Sequence, residues 1–200
     1  MDRERAASAD QDSALVRAFN GGDAGAFDRL MLTYKDRVYT LCCRFLGDDD
    51  EAGDCAQETF VRVYRSLGSF KGASSFSTWI YAIALNTCRN RRQSLAFRIR
   101  KLMVGIDAPR ETEDGEMQRE IAGDDPTPPE ELERRETERA VQAAIGALDE
   151  ERRAVVLLRD VQGLSYEEIA VVTGLNPGTV RSRLARARQD LKENLKGYMR

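Results

Sequence analysis

Five residues near the C-terminal end, Arg181, Ser182, Ala185, Arg186 and Gln189, recur at a spacing that gathers them on one side of a helix. That side is free to meet a base edge or a phosphate, and arginine can do either. The chemistry on offer is recognition of duplex nucleic acid. A second set, Asp54, Gln57 and Glu58, sits at i, i+3 and i+4 and shares a helix face. A third set, Trp79, Asn86 and Asn90, falls in one narrow stripe at about 100° per residue. The loop before it carries Phe70, Lys71 and Phe76. Bases can stack on such rings and amides can read base edges, which suits an unpaired strand. The plainer alternatives are a polar surface for the acid–amide face and a core role for Phe76 and Trp79.

The elements that position these residues are helical throughout. Ser165 with Glu168 three residues on makes a capping box, and Ile169 and Val172 give the helix that follows an apolar side. Gly174 supplies a left-handed stop. Asn176 then caps a basic helix whose first position suits Pro177. In that helix Val180, Leu184, Ala187, Leu191 and Leu195 form the inward stripe. Two helices joined by so tight a turn are a common way of entering the major groove. Upstream, Leu15, Ala18 and Phe19 predict a short first helix closed by Gly21-Gly22. Asp23 is expected to cap a second, which keeps its stripe from Phe27 to Phe45 and ends at Gly47. The Asp48-Asp49-Asp50 run favours the start of a third helix through its dipole. Ala52, Ala56, Phe60, Val63 and Leu67 line its buried side. A fourth runs from about Thr78 into Arg91-Arg92. Near the end, Asp149 is expected to cap a helix with Ala154, Val155, Leu158 and Val161 facing inward.

The fold class is therefore all-α, with two small helical domains joined by a flexible acidic linker. The domains span 12–95 and 136–198, and the linker spans 96–135. Its Pro-rich run, Asp124-Asp125-Pro126-Thr127-Pro128-Pro129, cannot build a core. The net charge of the 200 residues is -3, which by itself argues against a nucleic-acid binder. Its distribution reverses that argument. Residues 86–101 hold six bases and no acid, residues 179–200 hold seven bases against two acids, and residues 107–138 hold thirteen acids against four bases. Two basic patches flank an acidic middle. No stretch is apolar enough to span a membrane, and the N-terminus lacks an apolar signal core, so the expected location is cytoplasmic. Cys42, Cys43, Cys55 and Cys88 include no C-x-x-C pair, and the chain has no histidine. A zinc site would need all four, so small buried thiols are expected at Cys42, Cys55 and Cys88, and a redox role for any of the four stays open.

Together these residues resemble the extracytoplasmic-function (ECF) sigma factors of bacterial RNA polymerase, a group of the sigma-70 family. The resemblance is carried by Asp54-Cys-Ala-Gln-Glu-Thr-Phe60, Phe70-Lys-Gly72, Phe76-Ser-Thr-Trp-Ile80 and Ala84-Leu-Asn-Thr-Cys-Arg-Asn90. It continues in Ser165-Tyr-Glu-Glu-Ile-Ala170 and Gly178-Thr-Val-Arg-Ser-Arg-Leu-Ala-Arg-Ala-Arg188. It implies sigma region 2 in the first domain and sigma region 4 in the second. Asp54, Gln57, Glu58 and Phe60 would dock on core polymerase. Phe70, Lys71, Phe76, Trp79, Asn86, Asn90 and Arg91 would meet the minus-ten element and hold it open. Thr179, Arg181, Ser182, Ala185 and Arg186 would lie along the minus-thirty-five element. Some relatives carry a bulkier residue where Ala185 stands, so base preference there is not transferred. The acidic linker would thread the polymerase and, in the free chain, compete for the basic faces. The resemblance also implies promoter DNA and an anti-sigma factor as partners, a stress or envelope response, no cofactor, no membrane insertion and no enzymatic activity.

Two other readings fit parts of the chain. A helix-turn-helix regulator acting without polymerase would use the same C-terminal helix pair, but normally needs a dimer interface and a sensor domain. It leaves the Asn86/Asn90 face without a role. An enzyme acting on nucleic acid would need a nucleophile–base set or paired carboxylates placed for chemistry, and none is visible.

Overall fold

The computed structural model describes the backbone of residues 2–103 and 128–198 and the side chains of residues 8–96 and 134–198. Eight α-helices follow in order: α1 Asp2–Asn20, α2 Gly25–Leu46, α3 Asp49–Ser66, α4 Phe76–Met103, α5 Pro128–Ala147, α6 Glu150–Val156, α7 Tyr166–Thr173 and α8 Pro177–Asn194. A 3₁₀ turn, Leu67–Ser69, follows α3, and a π-helical turn, Leu157–Val161, follows α6. No strand occurs among the described residues.

In the N-terminal half α2 is the central rod. Leu30, Tyr34, Val38, Leu41, Cys42 and Phe45 are all buried along it and meet α1, α3 and α4. Gly47 ends it at φ 76°, donating its N–H to Cys43, a conformation that a side chain would strain. Asp48 caps α3 by accepting from the Glu51 N–H, and Asp49, Asp50 and Glu51 fill the first turn. Ser75 takes the same role for α4, its hydroxyl accepting from the Thr78 N–H at 3.2 Å.

Four boundaries differ from those read in the sequence. α1 begins at Asp2, well before Leu15. Asp23 does not cap α2: the helix starts after Ala24, and the Asp23 carboxylate instead pairs with Arg29 at 2.6 Å. α4 starts at Phe76 and continues to Met103, because no glycine or proline interrupts it before Gly105. α5 begins at Pro128, where proline suits a first helical turn. The expected linker 96–135 thus carries helix at both ends. Its remainder, including most of the segment expected to compete for the basic faces, lies outside the described residues.

Asp12 pins α1 to α2. Its carboxylate is buried and accepts a 2.5 Å hydrogen bond from the Tyr34 hydroxyl. Burial raises its pKa, and the Tyr34 bond and Arg37 offset this in part. The folded chain therefore binds that proton more readily than the unfolded chain. The cost of the charge is full above the folded pKa and is relieved as pH falls toward the unfolded value. Asp12→Asn keeps an acceptor without the charge, so its neutral-pH stability should stay within about 1 kcal/mol of the parent. Asp12→Ala strands the buried Tyr34 hydroxyl and should cost about 1–3 kcal/mol in chemical denaturation.

From α6 onward the start and stop signals fall where the residues place them. Asp149 caps α6 through the Arg152 N–H, and Ser165 and Glu168 form a complete capping box on α7. Gly174 sits at φ 72°, and Asn176 caps α8 with Pro177 at its start. Val161 departs from expectation. It is 45% exposed, because the π turn, closed by Gln162 N–H to Leu157 C=O, inserts an extra residue and rotates it off the buried side.

The two halves share one contiguous apolar core. α7 packs on α4, and α5 and the π turn pack on α2. Polar contacts close the seam. Gln142 donates to the Arg44 carbonyl at 3.2 Å and Gln162 to the Arg37 carbonyl at 3.1 Å, while Arg89 pairs with Glu150 at 3.2 Å. At its centre is Arg153, only 3% exposed. Its guanidinium donates to the carbonyls of Phe45, Ile145, Gly146 and Leu148 and lies over the Phe45 ring. Burial lowers its pKa to about 10, which still leaves it charged at neutral pH.

Candidate nucleic-acid interface

The arginines of α8 divide into two classes. Arg183 pairs with Glu151 at 2.7 Å and Arg188 with Asp160 at 2.5 Å, so both are spent on holding α8 against α6 and the π turn. Arg181 and Arg186 are exposed and have no carboxylate partner among the described residues. Arg181 lies over the ring of Tyr166, its carbon 5.8 Å from the centroid, which steadies the side chain and leaves its N–H donors open. Ser182, Ala185 and Gln189 are exposed on the same side. Thr179 is half-buried at the first turn, its carbonyl accepting from the Ser182 hydroxyl. Inward, Val180, Leu184 and Ala187 are buried and Leu191 and Leu195 half-buried, so the outward face is set by packing. The result is an outward strip with two uncommitted cations.

The second face is on α4. Asn86 and Asn90 are exposed, one turn apart. Two turns before Asn86 on the same stripe, Trp79 is half-buried and stacks on Phe70 with centroids 4.9 Å apart. Phe76 closes this ring cluster from below, 5.8 Å from Trp79, and is itself buried against Tyr34. Phe76 therefore acts as a floor. Phe70 and Trp79 are the rings with open edges, and Lys71 is exposed beside them.

The third face is on α3. Asp54 and Gln57 are exposed, and Glu58 is half-buried and bound by Arg62. Phe60 is half-buried at its flank, packed on the core. Val61 and Tyr64, each seven residues beyond Asp54 and Gln57, continue the same face and are 42% and 51% exposed. Tyr64 is backed by edge-on contacts to Phe27 and Phe19. This face is acidic at one end and apolar at the other.

Comparison with known proteins decides between the readings. Residues 30–98 match the family model "Sigma-70 region 2" and residues 138–191 match "Sigma-70, region 4". The RNA polymerase sigma-H factor of Pseudomonas aeruginosa is 40% identical over 96% of this chain and 97% of its own. The ECF RNA polymerase sigma-E factor of Escherichia coli is 36% identical over 94% and 96%. The chain belongs to the ECF sigma factors. The free-standing regulator finds no support in these relatives. The fold agrees as well: the sigma factor RpoE of Bartonella quintana, solved with the anti-sigma factor NepR, superposes with a TM-score of 0.64. It is 22% identical, and the match covers 85% of this chain and 96% of that one.

Within this sigma factor Arg91 has a place its charge alone does not reveal. It binds Glu51 and, at 2.7 Å, Asp54, so it ties α4 to the acid-rich start of α3. The hydrogen bond to Glu51 raises its pKa above the ordinary arginine value. Arg91 therefore carries two carboxylates and does not stand free for a strand. Val61 and Tyr64 escaped the sequence reading because single exposed apolar residues are ordinary on any helix. The i+7 relation to Asp54 and Gln57 was the available signal.

Proposed function

We propose that the three faces serve one act of promoter recognition. α8 lies along the minus-thirty-five element, with Arg181 and Arg186 on bases or phosphates. The α4 stripe takes the unpaired minus-ten strand, with Asn86 and Asn90 on base edges and Phe70, Lys71 and Trp79 around an extruded base. The α3 face holds the chain on core RNA polymerase, which supplies all the chemistry. The observation that supports this most directly is the split among the α8 arginines: two are tied to carboxylates and two are left uncommitted on the outward strip.

The compact arrangement is then the form off the promoter. The two elements lie about 25 base pairs apart, or roughly 85 Å at 3.4 Å per step. A compact chain of this length has a radius of gyration near 16 Å, so the seam around Arg153 must open. The chain between Met103 and Pro128 can reach roughly 80–90 Å at full extension, which matches that separation. Core polymerase raises the effective concentration of each module at its element, so neither needs to bind tightly alone. An anti-sigma factor is the expected regulator, holding the compact form, with a stress or envelope signal releasing it in the cytoplasm.

Run-off transcription with bacterial core polymerase tests this. Templates would come from upstream of the chain's own operon. Arg181→Ala with Arg186→Ala should cut promoter-specific transcript by roughly 30-fold or more, since each good base contact is worth about 1–3 kcal/mol. Arg183→Ala with Arg188→Ala removes the same charge but breaks only partly exposed ion pairs to α6 and the π turn, and should cost much less. Equal losses in the two double variants would refute the assignment.

A further inference from the structure

We propose that Cys42, Cys55 and Cys88 form a binding site for a trivalent thiophilic ion, of which arsenic(III) is the type. The three sulfurs come from α2, α3 and α4 and lie within 4.8 Å of one another. Cys55 and Cys88 are 3.4 Å apart, and Cys88 and Cys42 3.6 Å. All three are buried, at 0–1% exposure, in an apolar core. Three different helices thus converge their thiols on one point, which ordinary core packing does not require.

Charge and ligand number select the ion. A tetrahedral divalent ion needs a fourth ligand. The chain has no histidine, and the fourth cysteine, Cys43, donates to the Asp49 carboxylate instead. A divalent ion on three thiolates would also leave one net negative charge in the core, which is costly to bury. A trivalent pnictogen takes three thiolates in a pyramid, its lone pair occupying the fourth direction, and the product is neutral. Arsenous acid is itself uncharged at neutral pH. The exchange balances without any redox step: As(OH)₃ and three thiols give As(SR)₃ and three waters.

Occupation would reach both working faces of the N-terminal half. Cys55 follows Asp54 directly and stands three residues before Glu58, and Cys88 lies between Asn86 and Asn90. One ion would bolt α2, α3 and α4 together beneath them. Because the thiols are buried, loading waits on local opening of the helices, so uptake should be slow and should raise the melting temperature once complete.

The test uses the full chain in a phosphine reductant, incubated with arsenite and read by native intact-mass spectrometry. The expected product gains one arsenic and loses three hydrogens per chain, with a raised melting temperature. Cys43→Ala should load as fully as the parent. Cys88→Ala and Cys55→Ala, checked as folded by circular dichroism, should each lower occupancy at equal concentrations by at least about tenfold. Should those variants unfold, iodoacetamide mapping in denaturant of the loaded against the unloaded parent decides: Cys42, Cys55 and Cys88 protected only when loaded, with Cys43 alkylated in both, supports the site. No uptake by the native chain, uptake that loses fewer than three hydrogens, or uptake lost with Cys43→Ala overturns it.

Discussion

Arg153→Met is expected to lower the stability of the chain by about 3–5 kcal/mol, the range for removing one side of a buried charged network. Four carbonyls accept from this one guanidinium: Ile145, Gly146 and Leu148 at the end of α5, and Phe45 at the end of α2; the Ile145 carbonyl also accepts from the Leu148 N–H at 3.2 Å. Helix ends leave their last carbonyls without intrahelical partners, so the arginine serves as a shared cap for both helices. Methionine fills much of the volume but removes the donor to the Phe45, Gly146 and Leu148 carbonyls, and a desolvated acceptor left without one costs about 1–3 kcal/mol. The expected fall in melting temperature is roughly 10 °C for a chain of this length. Arg153→Lys should rescue little, because a single ammonium cannot fork to carbonyls on two helices. The seam should respond too. The parent should unfold in one calorimetric transition because the halves share a core, and Arg153→Met should split it in two. A single transition near the parent's temperature would mean that the apolar contacts alone hold the seam.

Much of this molecule was legible from residue order, and the part that was not has a common cause. Helix starts at Asp48, Asp149, Ser165 and Asn176 and stops at Gly47 and Gly174 were readable because capping is local: donor and acceptor lie within four residues. The outward strip of α8 was readable because Val180, Leu184 and Ala187 mark its opposite side. Asp23 misled because a competing local partner, Arg29, took its carboxylate. Val161 misled because a single π turn breaks the 3.6-residue period on which the expectation rested. The pairing of the two halves, the Arg91 tie between α3 and α4, and the meeting of Cys42, Cys55 and Cys88 were invisible because each joins residues more than ten positions apart. Arg153 is the sharpest instance. One cation beside the apolar run Ala154 to Leu158 reads as solvent-facing, and only the convergence of two helix ends reveals what it satisfies.

Gln57→Ala with Val61→Asp is expected to abolish promoter-specific transcription while leaving the fold intact. Both side chains are exposed on α3, and neither makes a hydrogen bond or ion pair among the described residues, so their loss removes contact surface and little internal energy. An interface of ordinary size draws most of its affinity from a few central residues, often an apolar anchor ringed by polar contacts. The α3 face has that form: Val61 and Tyr64 as the anchor, with Gln57, Asp54 and Glu58 at the acidic end. A buried, unpaired carboxylate at position 61 would cost several kcal/mol at a docked surface, hence about 100-fold or more in affinity. The measurement is a titration of core polymerase onto labelled chain, followed by run-off transcription. Asp54 must be tested apart, because its carboxylate also receives Arg91. Asp54→Asn loosens the join of α3 to α4, so a change in melting temperature alongside weaker polymerase binding would mark it as support for the face. Gln57→Ala with Val61→Asp should weaken binding with the melting temperature unmoved. If that variant binds core polymerase as the parent does, α3 is not the docking face, and its exposed Val61 and Tyr64 must be covered by another partner.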